Sequence, residues 1–74
     1  GDLRDAIALA GALVDDGHDL IHKASGWVLR EVGKKDQSIL EEFLLDHFET
    51  MPRTMLRYAI ERLPDERRRF YMRK

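Results

Sequence analysis

A stripe of small and apolar side chains along residues 21 to 34 constrains the fold of this chain more than any other feature. Its members recur at i, i+3, i+4, i+7, i+8 and i+11, the spacing that places side chains on one face of an α-helix. They are Ile21, Ala24, Ser25, Val28, Leu29 and Val32. An apolar face of this period has to be buried against other elements. The stretch is therefore predicted to form an amphipathic helix with one side in the core.

A second stripe on the same helix places cations around the only Trp in the chain: Lys23, Trp27, Arg30 and Lys34 follow at i, i+4, i+7 and i+11. In one interpretation the indole closes the rim of the core, and Lys23 and Arg30 lie over it by their aliphatic stems and by cation–π contact. In the other the stripe binds nucleic acid, with the cations on phosphates and the ring against sugar or base. We expect Lys23, Trp27 and Arg30 to share one solvent-accessible face with the ring partly exposed.

The rest of the chain keeps the helical period, shows no strand pattern and predicts five short helices in a single domain of residues 1–74. Tight connections favour an all-α fold, a short antiparallel stack of HEAT-like type, and a weak internal repeat at an offset of 35 residues supports it.

The predicted helices run from the cap Asp2 to about Asp15, from the cap Asp19 to a left-handed stop at Gly33, from Asp36 or Ser38 to Phe48, over residues 52–63, and from Asp65 to Tyr71. Gly11 is expected to let a neighbouring helix approach closely. The expected shared core is Ile21, Val28, Leu29, Leu40, Phe43, Leu44, Leu56, Ala59 and Ile60.

Several classes of function find no support in the composition. The chain has no Cys and therefore no disulfide or thiolate metal site, which suits a reducing cytoplasm. No apolar run approaches the ~20 residues of a membrane span, and the first residues are acidic, unlike a signal peptide. His18 and His22 are four residues apart, but no Glu follows His18 in the zinc-protease arrangement. We expect no metal, no cofactor and no membrane contact.

Charge is distributed unevenly along the chain, although the total is only −1. Residues 1–50 contain 5 Lys and Arg against 11 Asp and Glu, a net charge of −6, and residues 51–74 contain 8 against 3, a net charge of +5. The basic part is compatible with a local phosphate-binding patch. It is equally compatible with a helical tail whose Arg side chains are simply solvated.

Arg53 and Arg57 are the best-placed cations of this basic part. Their i, i+4 spacing at the start of the fourth helix points both guanidinium groups the same way, beside a helix end that favours phosphate. Arg57 can instead pair with Glu61 one turn later. A helix-turn-helix with a recognition helix starting at Arg53 is a lesser alternative, because Met55 and Leu56 have the pattern of buried residues.

Two motifs resemble a known family. Residues 23–31 read K-A-S-G-W-V-L-R-E, which resembles the K-A-x-G-W-x-L-R-E signature of the DNA alkylation-repair glycosylases built from HEAT-like repeats, the AlkD-like family. Residues 51–61 read M-P-R-T-M-L-R-Y-A-I-E and resemble the segment that follows the signature in one branch of that family. The residues between the motifs match in length and type, so the resemblance covers almost the whole chain.

The resemblance implies a concave, basic surface of stacked helices that grips duplex DNA by its backbone and excises cationic alkylated purines without base flipping. Trp27 matches the Trp that faces the lesion, and Arg30 matches the DNA-contacting Arg. The catalytic Asp and second site aromatic of such enzymes lie upstream of the signature, and no residue here matches them. The chain thus resembles the C-terminal portion of such a protein. Because family members without that Asp exist, enzymatic activity of the parent is left open.

These observations lead to one functional expectation and one rival. The expected function is the DNA-binding part of a DNA alkylation-repair glycosylase, with no catalytic residue and with duplex DNA held mainly through its phosphates. The rival is a HEAT-like scaffold that binds a protein, with Trp27 as a hot-spot aromatic. A truncated stack would leave the first helix as an exposed apolar edge, through which self-association is expected. The candidate DNA-binding residues are Lys23, Trp27, Arg30, Lys34, Arg53 and Arg57.

Overall fold

The computed structural model describes residues 3–73, and within this range it contains five α-helices and no strand. The all-α prediction with five helices is confirmed. Asp2, the expected cap of the first helix, lies outside the described residues. The helices are α1 (Leu3–Leu13), α2 (Asp19–Lys35), α3 (Gln37–His47), α4 (Arg53–Ala59) and α5 (Asp65–Met72).

The longest helix, α2, is the centre of the fold and contacts α1, α3 and α4. Its buried face is centred on Ser25, Leu29 and Val32. Ala24, expected in the core, is exposed, and the expected core residues Ile21 and Val28 are only half-buried. The buried face is rotated relative to the predicted one, because Gly26 is also buried. At about 100° per residue, Gly26 lies on the side of Leu29 opposite to Val28. The core therefore extends towards α4 rather than towards Ala24.

Gly26 allows α2 and α4 to pack closely. A Cβ atom at this position would lie 2.6 Å from the Met55 carbonyl oxygen and 2.6 Å from the Tyr58 Cβ atom, distances that real side chains do not tolerate. The sequence predicts such a close helix approach at Gly11, but an added Cβ there would meet only Phe43 Cε2, at an ordinary 3.6 Å. The close contact thus belongs to the glycine of the K-A-S-G-W motif.

Several predicted helix ends differ from those in the structure. The second helix continues past Gly33 to Lys35, since none of the described glycines has a positive φ. It also begins one residue earlier than predicted, because His18 and not Asp19 is the N-cap. The fourth helix ends at Ala59, where the chain tightens into short turns with Leu63 N donating to the Ile60 carbonyl at 2.9 Å. Pro64 also disfavours helical backbone at the residue before it.

The connection between α2 and α3 consists of Asp36 alone. Its carboxylate accepts a hydrogen bond from Ile39 N at 3.3 Å, which satisfies one of the free N–H groups at the start of α3. This confirms Asp36 as one of the two candidate caps. The first helix ends at Leu13, two residues before the predicted Asp15, and residues 14–18 form the loop that leads into α2.

Most of the expected core is confirmed, and Tyr71 is its largest unexpected member. Seven of the nine expected residues are buried, the exceptions being Ile21 and Val28. Tyr71 is fully buried although it lies in the most basic part of the chain. The buried apolar cluster consists of Ala10, Val14, Leu29, Leu40, Phe43, Leu44, Met51, Met55, Leu56, Ala59, Ile60, Leu63 and Tyr71.

A polar contact between α3 and α5 fixes the last helix to the body of the fold. The Tyr71 hydroxyl donates to Glu41 Oε1 at 2.8 Å, and Arg67 Nε donates to the same oxygen at 2.7 Å. The Phe48 ring packs edge-on against Tyr71 with centroids 5.3 Å apart. No local pattern connects a carboxylate to a phenol 30 residues away.

This contact makes the stability of the fold depend on pH at both extremes. Burial acts to raise the pKa of Glu41, but hydrogen bonds from Gln37, Arg67 and Tyr71 outweigh it and leave the pKa below its ordinary 4.5. Burial, together with the hydrogen bond to Glu41, raises the pKa of Tyr71 from 10.0 to about 12. Glu41 therefore stabilises the fold above pH 4.5, and this contribution is lost as acid protonates it. The Tyr71 contribution is complete below pH 10 and is lost towards pH 12.

We expect Tyr71→Phe to lower the free energy of unfolding by about 1.5–3 kcal/mol near neutral pH, because one part-buried hydrogen bond to a carboxylate is lost. It should also flatten the loss of stability between pH 10 and pH 12. Chemical unfolding followed by circular dichroism at several pH values measures both effects. Tyr58→Phe, on an exposed tyrosine of α4, is the matched control and should change neither. If Tyr71→Phe loses stability between pH 10 and pH 12 as steeply as the unaltered chain, this loss does not come from Tyr71.

Candidate functional site

The four stripe residues lie on the α2 ridge, which we define as Lys23, Trp27, Arg30 and Lys34, between the sides of α2 that contact α1 and α4. Trp27 is 50% exposed, so the expectation of a partly exposed ring is confirmed and the indole is not a core residue. The cation–π contacts found in residues 3–73 join Arg67 to Phe70 and Tyr71, and none involves Trp27. The indole therefore presents much of its surface to solvent without a cation stacked on it.

One side of the Trp27 ring borders an open groove between α1 and α2 with a volume of about 380 Å³. Apolar residues of both helices supply most of its wall, with Glu31 and Lys35 as the charged members. The lining residues are Leu3, Ala6, Trp27, Val28, Glu31, Val32 and Lys35. The ring therefore has an apolar groove beside it and the charged ridge on its other side.

Arg30 is not the free cation that the stripe suggested. Its side chain is only 18% exposed, and its guanidinium donates to Glu61 in the turn after α4 and lies 3.5 Å from Glu31. The Nε atom is buried without a hydrogen-bond partner. The close packing of α4 on Gly26 brings Glu61 to this side of α2. Glu61 had been considered as a partner of Arg57, and its contact with Arg30 spans 31 residues and is invisible to local patterns.

The two lysines of the α2 ridge are more loosely held. Lys23 lies 3.6 Å from Asp19 and Lys34 lies 3.5 Å from Glu31, with both lysine side chains about half exposed. Exposed ion pairs of this kind contribute only ~0–1 kcal/mol, so another anion can replace the carboxylate at low cost. Each cation of the ridge thus contacts a carboxylate, and the local charge is close to balanced.

A family model described as DNA alkylation repair enzyme matches residues 1–63. The chain belongs to this family. The match includes α1 to α4, the whole α2 ridge and the M-P-R-T-M-L-R-Y-A-I-E segment, and it ends before α5. No curated protein and no solved structure matches the chain. Membership of the DNA alkylation repair enzyme family agrees with the resemblance carried by residues 23–31 and 51–61.

The second pair of candidate residues in this DNA alkylation repair family member lies on α4. Arg53 and Arg57 are both exposed, and neither has an ion-pair partner among residues 3–73. Arg57 borders a groove of about 420 Å³ with Thr54, Tyr58 and Glu61, and Glu61 connects this groove to Arg30. Arg57 therefore lines the same groove as Glu61, the carboxylate that pairs with Arg30 of the ridge.

Two other arrangements find no support in the described residues. Met55 and Leu56 are fully buried, which removes the central side chains of α4 from any recognition-helix role. No group of three His, Asp or Glu side chains within residues 3–73 could hold a metal ion. His18 instead contacts the Asp16 carboxylate at 2.8 Å, and His22 contacts the Asp16 backbone carbonyl. None of the helices described is both long and apolar enough to cross a bilayer.

Proposed function

We propose that this chain is the DNA-binding part of a DNA alkylation-repair protein, a glycosylase that acts on alkylated purines. It would supply contacts to the backbone of duplex DNA and one aromatic ring at the lesion, and the catalytic Asp would come from elsewhere in the protein. The observation that carries the proposal is the half-exposed Trp27 between Lys23, Arg30 and Lys34. In this proposal the chain is part of a HEAT-like stack of helices that acts on DNA in the cytoplasm.

The ridge offers a physical route to phosphate binding. A phosphate can replace Asp19 at Lys23 and Glu31 at Lys34, because these half-exposed ion pairs are weak. The exchange releases counterions from the duplex, which is the main source of affinity in such complexes. Glu61 already fixes the orientation of the Arg30 guanidinium, so this side chain needs little further ordering when a phosphate binds.

The indole of Trp27 supplies the chemistry that distinguishes a lesion. An alkylated purine that carries a positive charge is attracted to the face of an aromatic ring, and Trp is the strongest such ring. When the glycosidic bond breaks, the base leaves as a neutral molecule and this attraction decreases. Trp27 therefore acts in recognition, and we assign no residue of this chain to the activation of water.

The proposal is tested by titrating the chain with duplex DNA and following the fluorescence of Trp27, the only Trp present. We expect the emission to change on binding and the apparent affinity to fall steeply with salt. A duplex containing a cationic alkylated purine should bind more tightly than an unmodified one. The absence of any change in emission or in anisotropy of a labelled duplex at low salt would refute DNA binding by this surface.

Removing both ridge lysines should weaken the salt dependence in a measurable way. For Lys23→Ala/Lys34→Ala we expect the slope of log K against log salt to decrease by about two units, since each phosphate contact contributes about one. Arg4→Ala is a control, because Arg4 borders a groove with Glu42 and Asp46 on the other side of α1. A slope that stays the same in the double variant would mean that the lysines do not contact phosphate.

The rival function is a scaffold that binds another protein or a second copy of the chain. Leu9 on α1 and Leu20 on α2 are exposed, as is Trp27, which provides apolar surface for such a contact. An apolar interface should resist salt, whereas phosphate binding should not. Sedimentation of the free chain at low and high salt measures self-association, and a salt-resistant dimer without DNA affinity would favour the scaffold.

A further inference from the structure

An open groove of about 410 Å³ lies between the end of α4, the turn after it and α5, and we call it the α4–α5 groove. Three arginines surround it together with two acidic and two apolar side chains. The lining residues are Arg57, Ile60, Glu61, Asp65, Arg68, Arg69 and Met72. Four of these seven belong to α5, which lies beyond the residues that the family model matches.

The acidic residues of the α4–α5 groove are already neutralised. Asp65 forms an ion pair with Arg68, and Glu61 forms one with Arg30 of the ridge. Arg57 and Arg69 have no ion-pair partner within residues 3–73, and both are exposed. The groove therefore carries an excess of positive charge, whereas every cation of the α2 ridge contacts a carboxylate.

The orientation of α5 in the described structure follows from its two faces. Arg67 and Tyr71 are four residues apart and both contact Glu41 of α3. The groove-lining set at positions 65, 68, 69 and 72 falls at i, i+3, i+4 and i+7, which is the spacing of a different face of the same helix. The contact with Glu41 thus holds Arg69 at the groove before any ligand arrives.

We propose that the α4–α5 groove is a second phosphate-binding surface, in which Arg57 and Arg69 bind phosphodiester groups of the duplex that occupies the α2 ridge. This inference rests on the proposed function. Guanidinium groups suit phosphate because their planar donors form paired hydrogen bonds with its oxygens. The half-buried Met72 supplies apolar surface for the C–H groups of the sugar.

Continuity with the ridge favours DNA over an acidic protein as the ligand. Glu61 contacts Arg30 on the ridge and also lines the groove. Arg57 lines this groove and the neighbouring one with Thr54 and Tyr58. Cations therefore follow one another from Arg30 on α2 through Arg57 on α4 to Arg69 on α5. A ligand with regularly spaced negative charges can contact all of them at once.

The test uses the full chain with Arg57→Ala/Arg69→Ala and a fluorescently labelled duplex. We expect about tenfold weaker binding at low salt and a salt slope smaller by about two units. The emission of Trp27 should still change at saturation, because the ridge is intact. Arg62→Ala/Arg73→Ala removes the same charge from exposed arginines that do not line the groove, and it should change the slope by much less.

Equal slopes in the two double variants, with tight binding by the unaltered chain, would overturn the groove inference and leave the proposed function standing. If the unaltered chain does not bind duplex DNA at all, the proposed function fails and the inference fails with it. A polyglutamate probe then decides what the groove binds instead. Binding of this probe that is lost only in Arg57→Ala/Arg69→Ala would assign the groove to an acidic protein and overturn the DNA assignment. Circular dichroism verifies that both double variants fold.

Discussion

Replacing Gly26 with Ala is expected to destabilise the fold by about 1–3 kcal/mol, although Ala is the better helix former by ~1 kcal/mol. The new methyl group would lie 2.6 Å from the backbone oxygen of Met55 and 2.6 Å from the Cβ atom of Tyr58. Neither atom can move without a shift of α4 itself. In a chain of 74 residues such a loss is a large fraction of the total stability. Urea unfolding followed by circular dichroism measures it.

Gly11→Ala is the matched control for this prediction. It makes the same chemical change inside α1, where the nearest atom is the Phe43 ring at an ordinary distance of 3.6 Å. We expect it to stabilise the chain by up to ~1 kcal/mol, because only the difference in helix propensity remains. If both variants shift stability in the same direction and by the same amount, the contact between α2 and α4 is not as close as described.

Trp27→Ala is expected to weaken binding of a duplex with a cationic alkylated purine by roughly tenfold to a hundredfold, the effect of losing one aromatic contact worth ~1–3 kcal/mol. The cost in folding stability should be well below the ~3–5 kcal/mol of a buried Trp, because half of the side chain is exposed. Anisotropy of a labelled duplex measures the affinity, and urea unfolding measures the stability.

Leu45→Ala provides the comparison for Trp27→Ala. Leu45 is 55% exposed on α3 and lines neither the groove beside Trp27 nor those beside Arg57, so truncation removes apolar surface without touching the candidate site. Its DNA affinity should equal that of the unaltered chain. A Trp27→Ala protein that fails to fold would show that the indole is structural. A folded one with unchanged DNA affinity would instead support the scaffold function.

The helices and most of the core could be predicted, because they depend on the spacing of residues within short segments of the sequence. Apolar residues at helical spacing identify which side of α2 or α3 is buried, and Asp36 has the local chemistry of a cap. The second helix was nevertheless predicted to stop at Gly33. A glycine at that point is compatible both with a helix end and with a helix that continues, and only the bonding of Asp36 N to Val32 O decides.

The side-chain contacts that sequence reasoning missed join residues far apart in the chain. Arg30 pairs with Glu61 and Tyr71 with Glu41, and in each case the local pattern gives the side chain a plausible role on its own helix. Arg30 looked like an exposed cation because its angular position on α2 is correct for one. Its burial depends on where the turn after α4 lies, and no spacing rule within α2 contains that information.

Gly26 and Trp27 are neighbours in sequence, yet the fold constrains them differently. Gly26 is fixed by the backbone of α4, so sequence change at this position is restricted by folding alone. Trp27 is half exposed beside the groove between α1 and α2, so the fold restricts the side chain at this position less. The side chain at position 27 can therefore be exchanged without repacking α2 against α4, whereas a side chain added at position 26 displaces α4.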